Sequence, residues 1–235
     1  MVTYAEISQG LDELIDDLQQ ATALSGPAID PFELAERLQN CVLIDATLPA
    51  RGCWRELGGG VASIVIAPDE RDERMCFATA HEIGEQHVVD LCERLALAPE
   101  DCSERLREDL ANRIASRLLV PNPWFREVAL ATDFDLFDLK ATFRFASHQV
   151  IAWRMLDDEI PTIVTIFDNG RQSSRKTNFS GRRELLPLEK VVLERCHRHA
   201  RRSEATLEGV RVQAWPIHEP AWQREILRTT VQEWE

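Results

Sequence analysis

Ala80-His81-Glu82-Ile83-Gly84-Glu85 is the stretch on which the reading of this chain turns. Two imidazoles four residues apart on a helix, with a glutamate beside the first, hold zinc and supply a general base. Here His81 and Glu82 stand where that spacing requires them, and the second ligand position is Glu85. Positions i and i+4 of a helix lie about 40° apart, so Glu85 shares the face of His81. His87 lies roughly 120° around the axis and does not reach that face without distorting the helix. Any site here is therefore built from His81 and Glu85. A carboxylate is a legitimate zinc ligand, and three protein ligands plus a water are a common set.

A third ligand must come from elsewhere. After a polar, acidic connection around Pro99 to Ser103, a second amphipathic run carries Leu106, Leu110, Ile114, Leu118 and Leu119 and stops at Val120-Pro121, where proline ends the helix. Glu108 lies near its start. An antiparallel helix pair joined by this connection brings Glu108 within reach of His81 and Glu85.

Residues 74–84, Arg-Met-Cys-Phe-Ala-Thr-Ala-His-Glu-Ile-Gly, are followed by Glu108-Asp-Leu-Ala-Asn112 and by Ala115-Ser-Arg-Leu-Leu-Val-Pro121. These segments resemble the ImmA/IrrE family of metallo-endopeptidases, over roughly residues 28–157. The family carries one helix of pattern R-x-F-T-x-A-H-E-I-G-H and a second of pattern E-x-x-A-N-x-x-A-x-x-L-L-M-P. The resemblance implies a metal bound by His81, Glu108 and the residue at position 85, with Glu82 as the catalytic base. It implies a protein substrate or partner of the repressor type of transcription regulator. The chain departs from the family at one ligand, where Glu85 replaces histidine.

That departure has physical consequences. One imidazole and two carboxylates offset the charge of zinc fully, whereas two imidazoles and one carboxylate leave one positive charge. A more neutral centre polarises water less, so the water's pKa sits above the ~7 typical of catalytic zinc and hydrolysis slows. Oxygen donors also shift preference toward manganese, magnesium or calcium. The expected cofactor is a divalent metal, zinc first and manganese second. The alternative is a peptidase fold that has lost catalysis and binds its partner through the same groove.

Acids outnumber bases 23 to 10 in residues 1–120, which accounts for the whole net charge of −13; beyond residue 120 there are 17 of each. An acidic front half argues against DNA binding by the catalytic part. A local basic segment offers a further alternative, a DNA-contacting regulator: Arg171, Arg175, Lys176, Arg182 and Arg183, followed by Arg198, Arg201 and Arg202. The six cysteines show no C-x-x-C pair, and with no secretory segment at the start they read as reduced thiols of a cytoplasmic protein. No apolar run approaches ~18 residues, so no membrane span is expected.

The expected fold class is α+β. A helical metallopeptidase-like core with a small antiparallel sheet occupies residues 1–157, and a small α+β region occupies 158–235. Helices are expected over about 4–23, from Pro31, from about Glu70, and through Glu108 to Leu119. A short strand covers Val42 to Asp45, and a hairpin pairs 51–57 with 61–67 across Gly58-Gly59-Gly60. Ser63 to Ile66 is the candidate edge strand for an extended peptide. Residues 134–156 give two short helices shaped like a helix-turn-helix, with Ser147 as N-cap. Only Arg154 is basic on the second of them, and His148 is a surface residue or a group near a substrate oxyanion. In the last region, Thr162 to Phe167 turns at Asp168-Asn169-Gly170 into a strand over 175–179. A helix at 186–200 and a strand at 210–215 follow. Trp215, Trp222 and Trp234 are core fillers or a partner surface.

Overall fold

The computed structural model describes residues 3–58, 61–98, 102–122, 124–180 and 184–231. The chain divides into two compact units, Met1–Ser147 and His148–Glu235.

In the first unit, helix α1 (Tyr4–Thr22) opens on a capping box between Thr3 and Glu6 and buries Leu11, Leu14, Ile15 and Leu18 at helical spacing. Helix α2 (Pro31–Arg37) starts where Asp30 accepts the Phe32 amide and proline fills the first turn. Strands β1 (Asn40–Ile44), β2 (Gly52–Gly58) and β3 (Val61–Ile66) form one sheet in the order β1-β3-β2. The β2–β3 hairpin is antiparallel as expected, although Gly59 and Gly60 lie outside the described residues. β1 joins the other side of β3 in parallel, with Cys41 opposite Ser63 and Ile44 opposite Ile66.

This corrects the reading of Ser63–Ile66 as an edge. Both sides of β3 are paired, so its backbone has no ladder left to offer, and the open edges of the sheet belong to β1 and β2. The interior placement follows from composition: Ile64 and Ile66 are fully buried, while β1 ends in the exposed Leu43 and Ile44.

Helices α3 (Asp72–Arg94) and α4 (Glu104–Leu119) carry the sequence motifs. Gly84 meets Ala111, and further along α3 the Cys92 thiol lies 2.9 Å from that of Cys102, so the two helices run antiparallel. The residues around the crossing are small: Ala80 and Gly84 on α3, Ala111 and Ala115 on α4, all buried. Residues of Pro99 to Asp101, in the expected acidic connection, lie outside the described residues. A Cβ on Gly84 would sit 2.7 Å from the Ala111 carbonyl oxygen. Backbone cannot yield as a side-chain tip does, so Gly84→Ala must push the helices apart. We expect a loss of about 1–3 kcal/mol in denaturant unfolding of the first unit; an unchanged midpoint would show that the crossing adjusts without cost. Helices α5 (Trp124–Ala131) and α6 (Leu136–Thr142) complete the unit, with the Phe125 and Phe143 rings 5.9 Å apart.

In the second unit, helix α7 (His148–Arg154) runs into a 3-10 turn, Met155–Asp157. Five strands follow around one helix: β4 (Thr162–Asp168), β5 (Arg171–Thr177), helix α8 (Pro187–His199), β6 (Ser203–Leu207), β7 (Val210–Glu219) and β8 (Trp222–Val231). The sheet order is β5-β4-β8-β7-β6, antiparallel throughout. Helix α8 lays Val192 and Cys196 on one sheet face against Phe167, Val212, Ala214 and Leu227.

Several local readings change here. The return strand starts at Arg171, earlier than the expected 175, because Asn169 and Gly170 both take left-handed conformations (φ 49° and 75°) and close the hairpin in two residues. Strands β6 and β8 were not foreseen; the charged first half of Trp222–Val231 hides its alternation. Trp215 is fully buried, a core filler. Trp222 lies under the Arg224 guanidinium, 4.5 Å from ring to carbon, and Trp234 is outside the described residues.

The basic groups of this unit are largely engaged. Arg175 is buried in a bidentate pair with Glu189, with both nitrogen–oxygen distances 3.0 Å. The Lys176 ammonium lies 4.5 Å above the Trp153 ring. Arg154 is buried and paired with Asp157. Arg182 and Arg183 lie outside the described residues. No described helix is long and apolar enough to cross a membrane.

Candidate metal centre

The antiparallel crossing of α3 and α4 brings three donor side chains together. One ligand atom each from His81, Glu85 and Glu108 lies within 4.8 Å of the others. The His81 Nε2 is 3.7 Å from a Glu108 carboxylate oxygen. His81 and Glu85 are half-buried and share one face of α3, as their spacing requires, while Glu108 reaches in from the exposed first turns of α4. His87 is turned elsewhere and holds Asp90 through its Nδ1 at 2.8 Å.

Glu82, one residue beyond His81, is buried against β2. A Cβ at Gly52 would come within 2.4 Å of its Oε1 and 3.0 Å of its Cδ. Glycine at position 52 thus leaves the pocket that the Glu82 carboxyl fills. Burial, followed by the facing charges of Glu85 and Glu108, pushes the Glu82 carboxyl up to about 7. Three carboxyl groups crowd one imidazole here, an arrangement that a divalent cation between them would relieve.

Neighbouring residues set the details. The Asn112 side-chain amide donates to the Glu108 backbone carbonyl at 2.8 Å and to its Oε1 at 3.3 Å, holding the carboxylate one turn away. The Arg107 guanidinium approaches Glu85 at 3.8 Å and offsets part of its charge. Among the described residues the buried His81 Nδ1 has no hydrogen-bond partner, so none of them fixes which ring nitrogen carries the proton. A metal-ligating imidazole usually has such an acceptor.

Sequence reasoning reached His81, Glu82, Glu85 and Glu108 and missed the parts played by Gly52, Asn112 and Arg107. Asn112 was detectable, since it stands four residues after Glu108 on the same helix face. Arg107 and Gly52 carried no local signal: one acts across the helix pair and the other by lacking a side chain.

The chain is similar to known proteins in fold and, over part of its length, in sequence. A solved structure described as a Mycobacterium tuberculosis transcriptional regulator superposes with a TM-score of 0.72 at 17% identity, covering 95% of this chain and 76% of that one. At that identity the likeness is one of fold. No curated protein matches in sequence. Residues 45–154 match the IrrE N-terminal-like domain of peptidase family M78, a span that takes in β2, β3, both motif helices and all four candidate site residues. Over those residues the chain carries a domain similar to the N-terminal domain of the IrrE-type M78 peptidases.

Proposed function

We propose that this protein is a metal-dependent endopeptidase-like protein in which His81, Glu85 and Glu108 hold a divalent cation, zinc or manganese, and Glu82 is the general base. The observation that carries this reading is the convergence of those three donors beside a buried carboxyl group on two antiparallel helices. The donor set fits such an ion: one imidazole and two carboxylates are accepted zinc and manganese ligands, leaving room for a further ligand. The bound cation would supply Lewis-acid polarisation of a scissile carbonyl and of the attacking water.

The chain's own residues supply the remainder. Glu82 takes the proton from the attacking water and passes it to the leaving amine. Gly52 keeps the carboxyl in place, and Asn112 holds Glu108. The open edge of β2, whose first residue lies against Glu82, can pair with an extended peptide through its backbone and present a bond to the centre. The substrate class that the family suggests is a protein, a repressor-type transcription regulator; the likeness in fold to a transcriptional regulator supports a regulatory setting.

A second reading has an observation of its own. Arg107 already offsets part of the charge of Glu85, doing some of what the cation would do. Under that reading the groove binds a protein partner without cutting it. A digest-derived peptide library, incubated with the full chain and either Zn²⁺ or Mn²⁺ and read by mass spectrometry, separates the two. Cleavage that depends on the added ion and disappears in His81→Ala supports the peptidase. A library left intact with both ions supports the binding module.

A further inference from the structure

A second group of metal-type ligands lies in the other unit, in residues that the first site does not use. His197 stands in the last turn of α8, His218 near the end of β7 and Glu225 near the start of β8. One ligand atom of each lies within 4.8 Å of the others. The His197 Nδ1 is 2.7 Å and the His218 Nε2 2.6 Å from the same oxygen, Glu225 Oε1. The two rings stand edge to face with centroids 5.9 Å apart.

The fold explains how three residues distant in sequence meet. Glu225 is opposite Pro216 in the β7–β8 ladder, and His218, two residues on, projects from the same sheet face. That face is the one covered by α8, through Val212, Ala214 and Leu227. The helix ends over the hairpin, and its last turn brings His197 down onto the carboxylate.

Glu225 is only 1% exposed. A carboxylate so deeply buried requires a compensating positive charge. Its hydrogen-bond partners are these two imidazoles, while the adjacent Arg224 is committed to Asp168 in a bidentate pair at 2.7 and 3.0 Å. Two histidines and a glutamate are a recurrent three-ligand set for zinc. Zinc held at about 2.0–2.1 Å by each ligand places tetrahedral donors roughly 3.3 Å apart. The present separations therefore open by about 0.6–0.7 Å when one cation sits between the nitrogens and the oxygen. His197 is half-exposed, which gives an ion a route in and leaves a fourth position facing water.

We propose that His197, His218 and Glu225 form a second divalent-metal site, selective for a borderline cation of the zinc type, that ties the end of α8 to the β7–β8 hairpin. The imidazole nitrogens favour such an ion over magnesium or calcium. This site is independent of the one on α3 and α4, and either can exist without the other.

The test uses the full chain carrying His81→Ala, which removes the imidazole of the first site. Zn²⁺ binding is measured by calorimetry, and Co²⁺ binding by the visible absorption of a tetrahedral centre. The expected result is one equivalent bound, lost when His197→Ala or His218→Gln is added, while circular dichroism of the metal-free variants stays that of the parent. A rise in the melting temperature with Zn²⁺, absent from His218→Gln, is expected with it. No zinc bound by the His81→Ala protein, or an equivalent that survives both substitutions, would overturn the proposal. Each histidine variant keeps the buried carboxylate beside one imidazole, so neither is expected to unfold the protein.

Discussion

Glu82→Gln should lower any metal-dependent peptide cleavage by about 10²–10⁴-fold, the range that a positioned general base contributes. The substitution keeps the size of the side chain, so the pocket beside Gly52 stays filled and the fold should be retained. It removes the group that accepts the proton from water. Glu82 is not one of the three converging donors, so the ion should still bind: Zn²⁺ affinity is expected to change little while turnover collapses. Measuring both on one preparation distinguishes a lost base from a lost site. Cleavage unchanged in Glu82→Gln would remove this residue from the chemistry.

The largest loss of stability is expected for Glu189→Ala in the second unit. Glu189 is fully buried and makes four polar contacts. Two are the bidentate bonds from Arg175, each 3.0 Å. The others are from the Thr229 hydroxyl at 2.6 Å and from the Leu186 amide at 2.7 Å, at the start of α8. Truncation leaves the guanidinium of Arg175, whose side chain is 7% exposed, without its counter-charge. Removing one partner of such a pair costs about 3–5 kcal/mol, and the Leu186 amide at the start of α8 loses its acceptor as well. Guanidinium unfolding followed by a signal from the second unit should show that loss. Replacing both partners with apolar residues, Arg175→Met with Glu189→Leu, should recover much of it. A loss below about 1 kcal/mol for Glu189→Ala would mean that water reaches and solvates the guanidinium.

The same pair shows what charge counting does not see in one region. Arg175 reads as part of a basic stretch because nothing in the sequence says that Glu189 lies on a helix folded over it. Charge reversal at Arg175 would break a buried pair in the core, so its effect on binding to nucleic acid could not be separated from unfolding.

Other parts were legible for definite reasons. Helix α4 declares itself by apolar residues at helical spacing and by Pro121 just past its end, and α3 by the spacing of its motif. His81 and Glu85 share a face by spacing alone. Glu108 was reached as a candidate near the start of the second amphipathic helix and through motif resemblance, while its meeting with His81 is a long-range fact with no local code. Strand order was hidden for a similar reason. β1 is too short to state its partner, and its parallel pairing places β3 in the middle of the sheet. The second cluster escaped because His197, His218 and Glu225 meet only when α8 folds onto the β7–β8 hairpin, and their separations of 21 and 7 residues follow no metal-ligand motif.

The central claim is that His81, Glu85 and Glu108 hold a divalent cation. The most direct measurement is Zn²⁺ and Mn²⁺ stoichiometry of the chelator-stripped full chain carrying His218→Gln, so that the second cluster does not contribute. Glu85→Ala, Glu85→His and Glu108→Ala are compared in that background. One equivalent bound, lost with either alanine and held more tightly with Glu85→His, is the expected result. No metal bound with Glu85, but zinc gained with Glu85→His, would contradict the claim and leave a peptidase fold that serves as a binding module.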